Sequence, residues 1–155
     1  MKNKLYIFFI FFSVICSFSY ADQFKFETTQ VEILDGGNLV YAKNGKALSA
    51  DKNLEILAEK FEYSKEPNIL KAFNGVALFK SDNLKIEFGE ITLNQSTLIT
   101  TVKKNVKIYE LKKEILIETD EVILDKNKNI LESSSPTILK DKESNILSSK
   151  YFQFN

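Results

Sequence analysis

The stretch LEILAEKFEYSKEPNILKAFNGV, residues 54–76, decides how this chain folds. Leu54 and Ile56 alternate with polar or outward-lying neighbours, and so do Phe61 and Tyr63. Pro67-Asn68 breaks the pattern, and Ile69, Leu70 and Ala72 then lead to Asn74-Gly75. A period of two gives a strand one buried and one wet face. The same series stands thirty residues earlier without a gap: Phe24, Phe26, Val31, Ile33, Asn38, Leu39, Val40, Ala42, Asn44 and Gly45. Thirty residues later it continues as Leu84, Ile86, Ile91 and Leu93, with Val106 and Ile108 falling under Val76 and Leu78. A further step of 31 gives Ile115, Ile117, Val122, Leu124, Thr137 and Leu139, and a last unit runs from Ile146 to Phe154. A period of this size marks a repeat architecture.

Each unit reads as strand, turn, strand, turn. The breaks are Asp35-Gly36-Gly37-Asn38, Lys43-Asn44-Gly45, Ser81-Asp82-Asn83, Asp125-Lys126-Asn127 and Asp141 to Asn145. No long amphipathic helical period is present, which sets aside the helical repeat families. The expectation is an all-β protein, a repetitive antiparallel β-jellyroll of about four repeats of roughly 30 residues. The competing reading is an ordinary β-sandwich with evenly spaced strands. Equivalence between repeats puts Ile56, Phe61, Leu78, Ile86, Ile91, Val106, Ile108 and Ile117 on the interior face.

What the chain lacks narrows its chemistry. Among 155 residues there is no histidine, no tryptophan and no arginine. The usual general base, a common metal ligand and the planar phosphate clamp are absent. The 21 lysines balance 21 acids, so no basic excess points to nucleic acid. No phosphate-binding glycine loop or nucleophile elbow occurs. Asp125, Asn127 and Asn129 mimic the start of a calcium loop, but Ile130 and Pro136 stand where glycine and glutamate are needed, so a polar turn is expected. Glu118 and Asp120 could pair as glycosidase carboxylates, yet their i, i+2 spacing puts both on one solvent face. The chain reads as a non-enzyme without cofactor or metal.

Residues 1–21 have the layout of a secretory signal peptide: Lys2 and Lys4, an apolar run from Leu5 to Cys16, then Ser19-Tyr20-Ala21 before Asp22. The run is shorter than the ~20 residues of a spanning helix. The sole cysteine, Cys16, leaves with it, so residues 22–155 form a domain without disulfides.

The stretch Leu54 to Tyr63 running into Asn68 to Val76, and its earlier copy from Gly37 to Ala47, resembles the OstA/LptA-like family of lipopolysaccharide-transport proteins, whose repeat reads I-x-A-x-x-F/A-x-Y … N-x-L-x-A-x-G-x-V. The resemblance extends over about residues 24–154 and is strongest over 38–79. Phe73 stands where family members often carry glycine. The resemblance implies a periplasmic module of a Gram-negative bacterium that holds lipopolysaccharide acyl chains in an apolar trough. It also implies joining other modules of the same fold end to end by strand addition. The chain stops inside a repeat, which is expected either of a short bridge protein or of a fragment of the outer-membrane assembly protein. A structural or adhesin-like β-solenoid with a packed core and no lipid is the alternative. Lys103, Lys104 and Lys107 are candidates for lipid phosphates, against the plainer reading of a solvated face.

Overall fold

A computed structural model describes residues 23–154, and the expected signal peptide lies outside them. The described chain is one antiparallel sheet. Its strands are β1 (Phe24–Leu34), β2 (Leu39–Ser49), β3 (Leu54–Ser64), β4 (Ile69–Phe79), β5 (Leu84–Asn94), β6 (Ile99–Glu110), β7 (Ile115–Asp125), β8 (Ile130–Ser133), β9 (Thr137–Lys140), β10 (Ile146–Ser149) and β11 (Phe152–Phe154). The first eight pair in sequence order. β8 and β9 both pair with β7, at opposite ends of it, and thus share the place of one long strand interrupted by Ser134-Ser135-Pro136. β11 on β8 and β10 on β9 repeat the arrangement.

The long strands are not straight. Phe24 pairs with Ser49, and Leu48 with Glu55, so Phe24 is level with the start of β3. Its ring nevertheless lies 5.4 Å from that of Tyr63, nine residues further along β3. Nine extended residues span about 30 Å. The long strands must therefore fold back at their middles, and the open sheet folds over on itself along a crease. One wall, here the near wall, holds residues 24–28, 45–49, 54–58, 75–79, 84–88, 106–110, 115–119, 137–140 and 146–149. The far wall holds the remaining strand halves.

The crease explains the burial pattern. Along β3 the buried side chains are Leu54, Ile56, Ala58, then Phe61 and Tyr63, with an extra residue where alternation changes phase. β4 does the same between Ala72 and Ala77. On β2 and β4 the bend is made by Asn44-Gly45 and Asn74-Gly75, with the asparagines at φ 50 and 51, a left-handed conformation that asparagine tolerates. The triplet Lys43-Asn44-Gly45, expected as a turn between strands, is thus a corner inside β2. It bends the chain without releasing the ladder, because Thr28 still pairs with Gly45 and Gln30 with Lys43.

Side-chain size alternates inside. Phe61 lies between Ala42 and Ala72, and Ile56 between Ala47 and Ala77. All six are fully or almost fully buried. Large residues on odd strands thereby fill the room left by alanines on even ones, which is how two walls reach interior packing density. Near the C-terminal end the crease is polar instead: the Thr119 and Ser133 hydroxyls are 3.0 Å apart, and the Thr137 hydroxyl donates to Thr119 Oγ1 at 3.1 Å.

Successive turns stack. The backbone N–H groups of Lys65, Gln95 and Lys126 donate to Asn38, Asn68 and Leu98 along one lip of the folded sheet. Those of Lys80 and Leu111 donate to Asn53 and Asn83 along the other. The donors follow one another at 30 or 31 residues, so the sheet is repetitive in structure as well as in sequence.

The outer face is an ion-pair ladder of cross-strand partners. Glu118 meets Lys140 at 2.6 Å and Lys107 at 3.7 Å. The hydrogen bond from Lys140, reinforced by both positive charges, holds its carboxyl below the usual range. A group with a depressed folded pKa stabilises above its unfolded pKa and loses that contribution as pH falls through the folded value. The stability difference between the protein and Glu118→Gln is therefore expected at neutral pH and should vanish on acidification. Urea unfolding between pH 7 and 3 measures it, and a pH-independent difference would contradict the assignment.

Candidate functional site

The eight residues expected inside separate cleanly. Ile56, Phe61, Ile86, Ile91, Val106, Ile108 and Ile117 are buried on the interior face. Leu78 is not: it is only half-buried, and it pairs with Glu55 on one side and Lys85 on the other, both on the outer face. The cause is a one-residue slip. β6 carries twelve residues where its neighbours carry eleven, the extra one lying at its corner, where Lys104 and Asn105 have φ 69 and 54 and pairing shifts between Lys103 and Val106. Ile86 pairs with both Ala77 and Ile108, so Ala77 is the equivalent of Ile108, one residue before Leu78. A slip of one residue moves a side chain to the opposite face. Ala77 and Phe79 fill the interior here.

The interior is closed in some places and open in others. Ile56, Phe61, Ile86 and Ile91 have no exposed surface and pack deep between the walls. Two clefts open along the mouth, where the lips of the sheet approach. The smaller, of about 350 Å3, lies between the Ser49–Leu54 turn with Phe79 on one lip and Leu93, Gln95 and Leu98 on the other. It is edged by polar groups, among them Asp51, whose carboxyl is held low chiefly by the Ser49 hydroxyl and then by Asn53.

The larger cleft, of about 480 Å3, lies toward the C-terminal end. Ile108 and Ile117 belong to its floor, with Leu84 and Ile115 beside them on the near wall. Leu124, Leu131 and Phe154 come from the far wall, and Leu139 from β9. Ligand pockets are commonly apolar concavities of this volume with a few polar groups at the rim. Here the rim carries Lys112, Lys113 and Lys126, and Asp82, Glu110 and Asp125. Ile117 reaches this apolar site with fully buried Ile108 beneath it, and Ile56, Phe61, Ile86, Ile91 and Val106 form the packed core, whereas Leu78 lies on the outer face. The expected interior set omitted Leu84, Ile115, Leu124 and Leu139, which stand in the repeat series, and also Leu131 and Phe154. The signal of the last two was faint, because the repeat breaks into β8–β11 there.

Lys103, Lys104 and Lys107 lie on the outer face, paired with Glu121, Glu90 and Glu118 at 3.1, 3.0 and 3.7 Å. This is the solvated arrangement, away from the cleft. Asp125 accepts the backbone N–H groups of Asn127 and Lys128 and pairs with the Lys128 ammonium at 3.1 Å, so it closes a polar turn. Glu118 is engaged by lysines.

The two walls are offset. Phe24 and Phe26 of β1 pack on Phe61 and Tyr63 of β3, so the near wall of β1 faces the far wall two strands further on, and Leu84 of β5 lines the larger cleft with Leu124 of β7 in the same sense. Among the described residues, the far-wall half of β1 consequently lacks a facing wall. Val31 and Ile33, in register with buried Ala42 and Val40, are 51% and 62% exposed. At the opposite end of the sheet the near-wall half of β10 is uncovered: Leu147, in register with Leu139, is 63% exposed.

No protein-family model matches the chain, and comparison with curated proteins gives no match.

Proposed function

We propose that this protein is a periplasmic lipid-carrier module of the OstA/LptA-like kind, its folded sheet acting as a jellyroll trough for the acyl chains of lipopolysaccharide. The observation that carries this reading is the apolar cleft floored by Ile108 and Ile117 and open at the mouth of the sheet. Burying a methylene is worth about 0.8 kcal/mol, so an acyl chain of about a dozen carbons gains roughly 10 kcal/mol on leaving water. A sealed pocket would hold such a chain too firmly for hand-off, whereas an open mouth lets it pass sideways or along. The offset walls supply the second requirement. The uncovered far wall at one end and the uncovered near wall at the other fit a head-to-tail joint with a module of the same fold, made by strand addition at β1 and at β10 with β11. Residues 1–21 would direct the chain to the periplasm and be removed.

A packed structural solenoid is the second reading, and the full burial of Ile56, Phe61, Ile86 and Ile91 favours it. Photo-crosslinking separates the two. A benzophenone side chain at Ile117 or Leu131 is expected to label with radioactive lipopolysaccharide, and one at exposed Leu57, which pairs with Lys46 on the outer face, is not. Absence of labelling from both cleft positions in folded protein would favour the solenoid.

A further inference from the structure

Lys126 occupies a singular place in the mouth. It stands in the turn after β7, on the far lip, where its backbone N–H is fixed by Leu98 O at 3.1 Å. Its side chain crosses to the near lip, with Nζ 5.5 Å from the centre of the Phe79 ring and 3.8 Å from Asp82 Oδ2. It lines both clefts.

The charges around the larger cleft are unequally engaged. Asp125 is taken by Lys128 and by two backbone N–H groups. Glu110 accepts the backbone N–H of Lys113. The Lys113 ammonium rests 4.5 Å from the centre of the Phe154 ring, at the edge of the apolar floor. Of the acids of the larger cleft, Asp82 is the one left facing Lys126, across a long and exposed ion pair of a type that contributes little, while Asp51 of the smaller cleft also lies in the field of the Lys126 charge. A phosphate offers more charge and more acceptor oxygens than one carboxylate at that distance. Lysine, as a flexible point charge, can turn to it without a fixed geometry.

We propose that Lys126 is the headgroup post of the mouth: it exchanges Asp82 for the anionic head of an amphiphile whose chain lies in the cleft over Ile108, Ile117 and Leu131. This rests on the acyl-binding reading above and adds to it a specificity-determining residue, with a selectivity for anionic single-chain heads. Asp82 acts as the resident counter-ion that leaves when the head arrives. The exchange also frees the two lips from their ion pair, so loading would loosen the mouth at the point where the two clefts join.

The test uses the purified protein and three probes: decyl phosphate, decanol and inorganic phosphate, each read by displacement of a fluorescent naphthylamine dye from the cleft. The wild type is expected to bind decyl phosphate about tenfold more tightly than decanol, and inorganic phosphate far more weakly than either. Lys126→Ala should bring the first two within about threefold. Asp82→Asn should tighten decyl phosphate, which a merely structural role for the pair would not do. Lys128→Ala, an equal change of charge on the same turn, should keep the preference. A preference that survives Lys126→Ala overturns the proposal and leaves acyl binding standing. Inorganic phosphate binding as tightly as decyl phosphate also overturns it, since the site would then be a plain anion site. If the wild type binds neither alkyl probe, the acyl-binding reading fails and the post fails with it.

Discussion

Gly75→Val is expected to melt the domain at least about 10 °C below the parent, or to prevent folding altogether. A Cβ at Gly75 would lie 2.1 Å from Leu57 O and 2.9 Å from Ala58 Cα. Both are backbone atoms of the adjacent strand, held by the pairing of Ala58 with Gly75, so neither can yield without breaking the ladder. The corner cannot relax the other way either. Asn74 is already in the left-handed region, and its side-chain amide donates to Glu59 at 2.9 Å across the bend. Valine would therefore push β3 and β4 apart where the crease forms, and the two walls could not close on Phe61 and Ile56. A loss of about 3 kcal/mol or more is a large share of the roughly 5–15 kcal/mol by which domains are normally stable. Gly36→Asn supplies the contrast. A Cβ at Gly36 would meet nothing within 4 Å, and its φ of 60 is one that asparagine accepts, so the midpoint should shift by no more than a few degrees. Thermal and urea unfolding compare the two. If Gly75→Val melts with the parent, the close approach at the corner is not what folds the sheet.

That corner also marks where the sequence is legible and where it is not. The 30-residue period, the antiparallel strands and the polar turns at Pro67-Asn68 and Asp125 to Asn127 are encoded locally, by alternation and turn chemistry, and can be read directly. Asn44-Gly45 uses the same residue types as a hairpin turn, and only the unbroken pairing of β1, β2 and β3 on both sides of it distinguishes a fold in a strand from the end of one. The slip at Leu78 has the same origin. An extra corner residue at Lys104-Asn105 leaves the apolar spacing almost unchanged while reversing the face. The cleft was less legible still. Leu84 of β5 and Leu124 of β7 are far apart in sequence and line one cleft because one wall faces a wall two strands ahead. That offset is a property of the folded sheet, with no short-range signal. Lys126 illustrates the limit: in the sequence it is one of three residues in a turn, and its position across the mouth depends on both lips.

The two-strand offset leads to the remaining large effect, on assembly. The protein is expected to associate as its concentration rises, and Val31→Asp combined with Ile33→Asp should return it to a monomer. These side chains point to the interior side of the sheet, yet they are more than half exposed because no near-wall strand faces them among the described residues. At the opposite end Leu147 points inward and is uncovered for the matching reason. The edges β1 and β10 with β11 also leave backbone donors and acceptors unpaired within the described sheet, the condition that invites strand addition. Pro136 lies one strand in from the edge, and Lys150 sits between β10 and β11, so neither shields the whole border. Stacking one copy on another would cover Val31 and Ile33 with the near wall of its neighbour and cover Leu147 with the far wall. Because the three positions are exposed, aspartate there costs the fold little, and circular dichroism should remain that of a β-protein. The joint is between unlike ends, which gives it a signature that a two-fold dimer cannot imitate. The Val31→Asp, Ile33→Asp protein keeps a sound C-terminal end, and Leu147→Asp keeps a sound N-terminal one. Each alone should be monomeric in light scattering, and an equimolar mixture should give a one-to-one pair that grows no further. Chains that stay associated with both ends altered would place the contact elsewhere on the sheet. A wild type that remains monomeric at every concentration, and that joins no module of the same fold, would remove the end-to-end joint from the proposed function and leave only the cleft to support it.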